Sequence, residues 1–114
     1  MGSTNFGTIK IGKFKDYREA YNGAVQDALH EYGHDAYNGT ISTTDGVRRP
    51  NGHPKFGTKT FSKWESKQLE KMNKWGTCLA VEIKSSKLKE LKEQYGYKCK
   101  KGVKAYYFFG WAAE

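Results

Sequence analysis

Cysteine is scarce in this sequence, and long apolar runs are missing from it. There are two cysteines, Cys78 and Cys99, and they lack the spacing of metal ligands. Cys78 stands in an alternating apolar run where a small buried thiol packs well, so we expect two reduced, structural cysteines. No apolar run approaches the roughly 18 to 20 residues that span a bilayer, and the chain does not open with a basic region followed by an apolar stretch. We therefore expect a cytoplasmic protein that does not contact membranes.

Motifs that identify an enzyme are also few. No glycine-rich phosphate loop follows a strand at the required spacing, and Ser, His and Asp form no pattern that identifies a nucleophile. The absence of these motifs favours binding over catalysis, and we expect no cofactor.

One short pattern does point to catalysis. The segment 30–34 reads His-Glu-Tyr-Gly-His, which matches a zinc motif in which two histidines one helical turn apart bind the metal. His30 and His34 would be the ligands, and Glu31 would activate a water. The motif requires a continuous helix, yet Gly33 is better suited to end one. The alternative is that His30 lies on an exposed helix face and His34 fixes the corner after it.

Length and composition predict one domain over residues 1–114. The chain is long enough for one hydrophobic core and too short for two ordinary domains. Periodicity predicts an α+β fold, a mostly antiparallel sheet of about four or five strands with two main helices packed on it. Asp16 and Ser62 are the predicted N-caps of two helices. The predicted strands cover 5–14, 37–44, 77–84 and a hairpin over 97–113; the predicted helices run from Asp16 to Gly33 and over 62–75 and 86–95; a long basic loop covers 45–60.

Charge is unevenly distributed along the chain. Residues 1–46 hold four Lys and Arg against six Asp and Glu, a net charge of −2, whereas residues 47–114 hold sixteen against six, a net charge of +10. Such an asymmetry builds a positive potential that attracts phosphate chains and other acidic partners, and that weakens as salt rises. The alternative is that the charge serves solubility alone.

Lysines recur at helical spacing in the second helix and follow other cations in the loop before it. On a helical wheel the four lysines from Lys63 to Lys74 fall in one narrow stripe opposite an apolar side. Lys and Arg are the residues that position phosphates, although a solvated helix face shows the same pattern. The candidate binding residues are Arg48, Arg49, Lys55, Lys59, Lys63, Lys67, Lys71 and Lys74.

The last strand is apolar on both faces. Tyr107 and Phe109 alternate with Tyr106 and Phe108, so one face could be a platform on which exposed bases stack, with Tyr106 as its first candidate. The alternative, which we favour, is a central strand covered by helices on both sides.

Two segments carry a resemblance to a known group of proteins. Residues 32–41 read Tyr-Gly-His-Asp-Ala-Tyr-Asn-Gly-Thr-Ile, and residues 109–113 read Phe-Gly-Trp-Ala-Ala. With the alanine-rich helix before the first segment, they resemble small uncharacterised proteins encoded by bacteriophages, over about a third of the chain. The resemblance implies a protein of the host cell cytoplasm that binds host nucleic acid or a defence system such as CRISPR, and it implies no site residues.

Together these patterns predict a small basic protein that binds nucleic acid or a host nucleoprotein complex, and the resemblance implies a phage-type accessory protein whose binding inhibits a host defence system. The first alternative is an inhibitor that binds a host enzyme without contacting nucleic acid, through its basic surface and aromatic anchors. The second alternative is a zinc hydrolase that uses the segment 30–34.

Overall fold

The computed structural model describes residues 3–32, 41, 44, 46–50, 52–72, 76–97 and 101–113, and within them it contains four strands and three helices. None of these helices is long and apolar enough to cross a membrane. The elements in chain order are β1 (Ser3–Gly12), α1 (Tyr17–Tyr32), β2 (Gly46–Arg48), α2 (Lys59–Glu70), β3 (Thr77–Ile83), α3 (Ser85–Gln94) and β4 (Lys104–Ala113).

The four strands form one mostly antiparallel sheet in the order β1-β4-β3-β2. Strand β4 pairs antiparallel with β1 along its whole length, and with β3 from Ala105 to Phe109. Strand β2 joins the other side of β3 as its parallel neighbour. The α+β fold class is thus confirmed. The central position of β4 is also confirmed, since β1 and β3 lie on either side of it, as expected for a strand that is apolar on both faces.

Helix α1 covers one face of the sheet. Its alanines, Ala20, Ala24 and Ala28, lie against Tyr106 and Phe108 of β4 in one buried cluster. The small alanine side chains leave space between helix and sheet for these large rings. Asp16 begins the helix as predicted, since its Oδ1 accepts hydrogen bonds from the backbone amides of Arg18 and Glu19 at 3.0 and 3.1 Å.

Helices α2 and α3 cover the opposite face. Phe61 of α2 is buried against Leu79, Val81 and Phe109, and Leu91 of α3 is buried in a second cluster with Ile83 and Ala105. Phe56, in the segment before α2, packs against both clusters and joins them.

The predicted strand over 37–44 is wrong at the positions that can be compared. Residues 37–40, 42 and 43 lie outside the described residues, but Ile41 and Thr44 form a turn in which the Thr44 amide donates to the Ile41 carbonyl at 3.0 Å. The strand of this region, β2, begins later, at Gly46, inside the predicted loop. Threonine-rich sequence favours strands, yet pairing with β3 decided which residues joined the sheet.

The N-cap of helix α2 lies four residues before the predicted N-cap. Thr58 and not Ser62 is the N-cap, and its Oγ1 accepts a hydrogen bond from the Phe61 amide at 3.1 Å. The earlier start places Phe61 in the first turn, where its ring reaches the core. The helix ends at Glu70 with Lys71 as C-cap, and Trp75 lies outside the described residues.

The predicted hairpin over 97–113 is wrong in its pairing. Residues 98–100 lie outside the described residues, but strand β4 has β1 on one side and β3 on the other, so no position beside it is left for the preceding segment. Lys101 and Gly102, where the turn was predicted, form a bend, and Gly102 has a φ of 74°. This segment leads into a central strand, because β1 and β3, which are distant in sequence, pair with the two edges of β4 while helices cover its two faces.

Candidate nucleic-acid interface

Aromatic contacts fix the orientation of helix α2 on the sheet. The rings of Phe61 and Trp64 lie edge-on to Phe109 of β4, with centroid distances of 6.5 and 5.7 Å. The indole Nε1 of Trp111 donates a hydrogen bond to the Leu69 carbonyl at 2.7 Å. Aromatic pairs at these distances contribute beyond the area that they bury. The side of α2 opposite these rings must therefore face solvent.

The outward side of α2 carries a row of exposed lysines. Successive members are four residues apart, so they rise by about 6 Å along the helix axis from one to the next. No ion pair between described residues involves any of them. Glu70 is exposed on the same side, which leaves the row with a net charge of +3. We call Lys59, Lys63, Lys67 and Lys71 the lysine row.

Of the loop cations, the structure connects Lys55 to the lysine row. The Thr58 hydroxyl donates to the Lys55 carbonyl at 2.7 Å, and this bond closes the turn that leads into α2. Gly57 within that turn has a φ of 88°, a conformation that favours glycine. Lys55 and Lys59 thus stand on either side of one short turn. Lys74, the last of the predicted lysines, lies outside the described residues.

Arg48 and Arg49 lie apart from the lysine row, at the end of β2. Both are exposed, and the Arg49 guanidinium stands over the ring of Tyr17, 5.8 Å from its centroid. Tyr17 begins α1, which covers the other face of the sheet from α2. The predicted binding residues therefore form two groups, the lysine row with Lys55, and the pair of arginines.

Arg49 of the second group and Lys55 of the first line a groove between strand β3 and the described residues that follow β2, 49, 50 and 52–56. The groove has a volume of about 430 Å³, and its charged lining residues are Arg49, Lys55, Glu82 and Lys84. Sequence reasoning missed Glu82 and Lys84. The sequence feature that could have indicated this groove is Glu82, a carboxylate within the mostly apolar strand β3.

Tyr106 belongs to the core and not to a binding surface, so the predicted stacking platform is wrong. The residue is 4% exposed, and its ring stacks on Phe108 at 6.3 Å beneath α1. Burial raises the pKa of its phenol, the Glu82 carboxylate adds to the rise, and Arg49 opposes it. Among the described residues, the exposed large aromatic side chain is that of Tyr95, at the end of α3.

Of the two histidines of the zinc motif and the two cysteines, the structure describes His30 and Cys78. His30 is exposed in the last turn of α1, and His34 lies outside the described residues. Within the described ranges, no group of three or more His, Cys, Asp and Glu side chains is arranged to hold a metal ion. The zinc motif depends on His34 and so stays a prediction. Cys78 is buried, and this burial raises the pKa of its thiol to about 12, which suppresses the reactive thiolate.

The two helix-bearing faces of the sheet differ in charge. Helix α1 carries Arg18 against Glu19, Asp27 and Glu31, a net charge of −2, whereas α2 and its C-cap carry the lysine row against Glu65 and Glu70, a net charge of +2.

Comparisons with protein-family models, curated proteins and solved structures find no match to this chain. The function of this chain must therefore be inferred from the geometry and charge of its surfaces.

Proposed function

We propose that this chain binds nucleic acid, free or within a nucleoprotein complex, through the lysine row of α2 and the adjoining Lys55. The observation that carries the proposal is that four lysines stand exposed along one side of a helix whose other side is held by aromatic contacts. Because no described carboxylate pairs with these lysines, their charges are available to phosphates.

Contacts to phosphates, and not to bases, are what this surface favours. Lysine is a mobile point charge that neutralises phosphates without reading sequence, whereas base recognition needs planar forks or exposed rings. The rings of β4 are unsuited to stacking because Phe108 and Phe109 are fully buried and Tyr106 nearly so. Binding should therefore be independent of sequence and strongly dependent on salt.

A charge-reversal experiment tests this surface. Fluorescence anisotropy with a labelled duplex and a labelled single strand, repeated over a salt series, measures affinity for the parent chain and for the double variant Lys63→Glu, Lys67→Glu. We expect log K against log salt to fall with a slope of about −3 to −4 for the parent chain on duplex, the value for about four phosphate contacts. The double variant should lose affinity on the order of tenfold or more at low salt.

The matched control is the double variant Lys13→Glu, Lys15→Glu. These exposed lysines precede α1, outside the lysine row, and their reversal changes the net charge of the chain from +8 to +4, as the α2 variant does. We expect the control to bind within about threefold of the parent chain, because only charges close to the phosphates release counterions. Equal losses in both variants, or no binding of either nucleic acid at low salt, would contradict the proposal.

A further inference from the structure

The groove beside β3 arises because the chain leaves the sheet after β2. Arg48 is the last residue of β2 and pairs with Leu79, and the described residues that follow, 49, 50 and 52–56, do not pair with the rest of β3. Ala80, Glu82 and Lys84 line the opening. Alternate residues of an extended segment project to the same side, so these three side chains share one face of the sheet.

The charges of the groove suit a dianion. Arg49, Lys55 and Lys84 are exposed, and with Glu82 they give a net charge of +2. No ion pair between described residues involves any of the four. A phosphate monoester carries about −1.5 to −2 charges near neutral pH, and it therefore matches this lining.

The remaining lining suits a planar organic group attached to that phosphate. The His53 ring is exposed, yet two contacts hold it in place. Its Nδ1–H donates to the Pro54 carbonyl at 2.7 Å, and its centroid lies 5.9 Å from the centroid of the Trp64 ring. Phe56 and Pro50 add apolar surface to the same groove. A flat base can stack on a fixed aromatic ring and on such apolar groups.

We propose that this groove binds a nucleotide that bears a phosphate monoester. The phosphate lies among Arg49, Lys55 and Lys84, the base lies toward His53 and Phe56, and the Glu82 carboxylate accepts a hydrogen bond from a ribose hydroxyl or a base amine. The volume of about 430 Å³ is within the range of small-molecule sites. The nucleotide is either free or the phosphorylated end of a strand, and in the second case the inference rests on the proposed function.

Isothermal titration calorimetry with adenosine 5′-monophosphate, adenosine and inorganic phosphate tests the site. We expect adenosine 5′-monophosphate to bind more tightly than either of its parts, because it alone contacts both the cations and the apolar wall. Arg49→Gln and Lys84→Gln should each weaken its binding by about tenfold, as expected for the loss of a charge-assisted hydrogen bond. Both side chains are exposed, and Arg49→Gln removes only a surface contact with the Tyr17 ring, so both variants should melt within about 5 °C of the parent chain.

Glu82→Gln separates a nucleotide site from a simple anion site. Removing a negative charge should strengthen binding of inorganic phosphate, whereas adenosine 5′-monophosphate should bind more weakly because the hydroxyl or amine loses its anionic acceptor. If adenosine 5′-monophosphate binds no better than inorganic phosphate, or if Glu82→Gln strengthens both equally, the proposal of a nucleotide is overturned. Binding that survives both Arg49→Gln and Lys84→Gln overturns the location.

Two further measurements identify the source of the phosphate and separate this inference from the proposed function. A trinucleotide with a 5′-phosphate that binds more tightly than adenosine 5′-monophosphate supports a strand end, and equal binding supports a free nucleotide. The variant Lys63→Glu, Lys67→Glu should retain its affinity for adenosine 5′-monophosphate while losing long nucleic acids. Loss of both ligands in that variant would overturn the independence of the groove from the lysine row.

Discussion

The hydroxyl of Tyr107 donates a 2.5 Å hydrogen bond to Oε2 of Glu65, and this bond joins the central strand of the sheet to the helix that carries the lysine row. Both side chains are half-buried. The bond explains why a carboxylate stands on the inward side of α2, where sequence patterns place apolar residues. It also ensures that Glu65 does not neutralise the lysines on the opposite side.

Removing this donor should destabilise the fold. We expect Tyr107→Phe to lower the free energy of unfolding by about 1 to 3 kcal/mol, because it leaves a partly desolvated carboxylate without its partner. Glu65→Gln, which keeps an acceptor oxygen, should cost less. Urea denaturation measures both variants, and Tyr95→Phe is the control because the Tyr95 ring is half exposed. Equal stability of Tyr107→Phe and Tyr95→Phe would contradict the expectation.

Gly7 of β1 leaves the space that the Tyr107 ring occupies. A Cβ atom at position 7 would lie 2.9 Å from Cε1 and Cζ of that ring, and closer still to its hydroxyl. Gly7→Ala should therefore displace the ring and destabilise the fold by about 1 to 3 kcal/mol. Gly52→Ala is the matched control, since a Cβ there meets no atom within 4 Å. Thermal melting of the two variants at one scan rate should give a lower melting temperature for Gly7→Ala than for Gly52→Ala, and equal temperatures would contradict the prediction.

Stability should fall in alkaline solution. Burial raises the pKa of Cys78 to about 12, and it also raises the pKa values of Tyr106 and Tyr107 above their usual value of about 10. The folded chain thus holds these protons more tightly than the unfolded chain does. The contribution of each group is complete below its unfolded pKa and is lost as the pH rises toward its folded pKa. For Cys78 this loss begins near pH 9 and amounts to about 1.4 kcal/mol per pH unit.

The thiol should dominate the first part of this decline, since its unfolded form titrates first. Cys78→Ala should flatten the dependence of the unfolding free energy on pH between about 9 and 10, while Tyr107→Phe should alter it only at higher pH. Urea denaturation at half-unit pH steps measures both slopes. An unchanged slope in Cys78→Ala would show that the thiol does not contribute.

The N-cap of α2 offers a test of where the helix begins. Thr58→Ala removes the oxygen that accepts from the Phe61 amide, and it should cost about 1 kcal/mol. Ser62→Ala changes an exposed helical residue to a better helix former, and it should leave stability within about 0.5 kcal/mol or raise it. The reverse order of effects in urea denaturation would move the start of the helix to Ser62.

Much of the fold could be predicted because its signals are local. The cap at Asp16, the alternation in β3 and the apolar faces of β4 each involve neighbours in one element, and each element is present in the structure. The start of α2 was predicted wrongly because Ser62 and Glu65 complete a capping-box pattern, whereas Thr58 is followed three residues later by Phe61 and does not. Burial of Phe61 distinguishes them, and burial depends on residues far away in the chain.

The residues of the candidate site could likewise be predicted only in part from the sequence. The spacing of Lys63, Lys67 and Lys71 was enough to place them on one side of a helix, since side-chain direction repeats with the helical turn. Lys59 was predicted in the loop, and the earlier start of α2 added it to the row. Burial of both faces of β4 was the favoured prediction, and it is confirmed; Tyr106 was kept as a candidate stacking residue because alternation along a strand does not reveal which face a helix will cover. The covering helix, α1, ends more than seventy residues earlier in the chain.

The sequence by itself determined the charge of this protein, the helical row of lysines and the double apolar faces of its last strand, because these depend only on composition and on the repeat of a helix or a strand. The tertiary structure alone decided that Arg49, Lys55, Glu82 and Lys84 would share one groove. Their meeting depends on where β2 leaves β3, and strand pairing is a long-range choice set by the burial of the whole sheet.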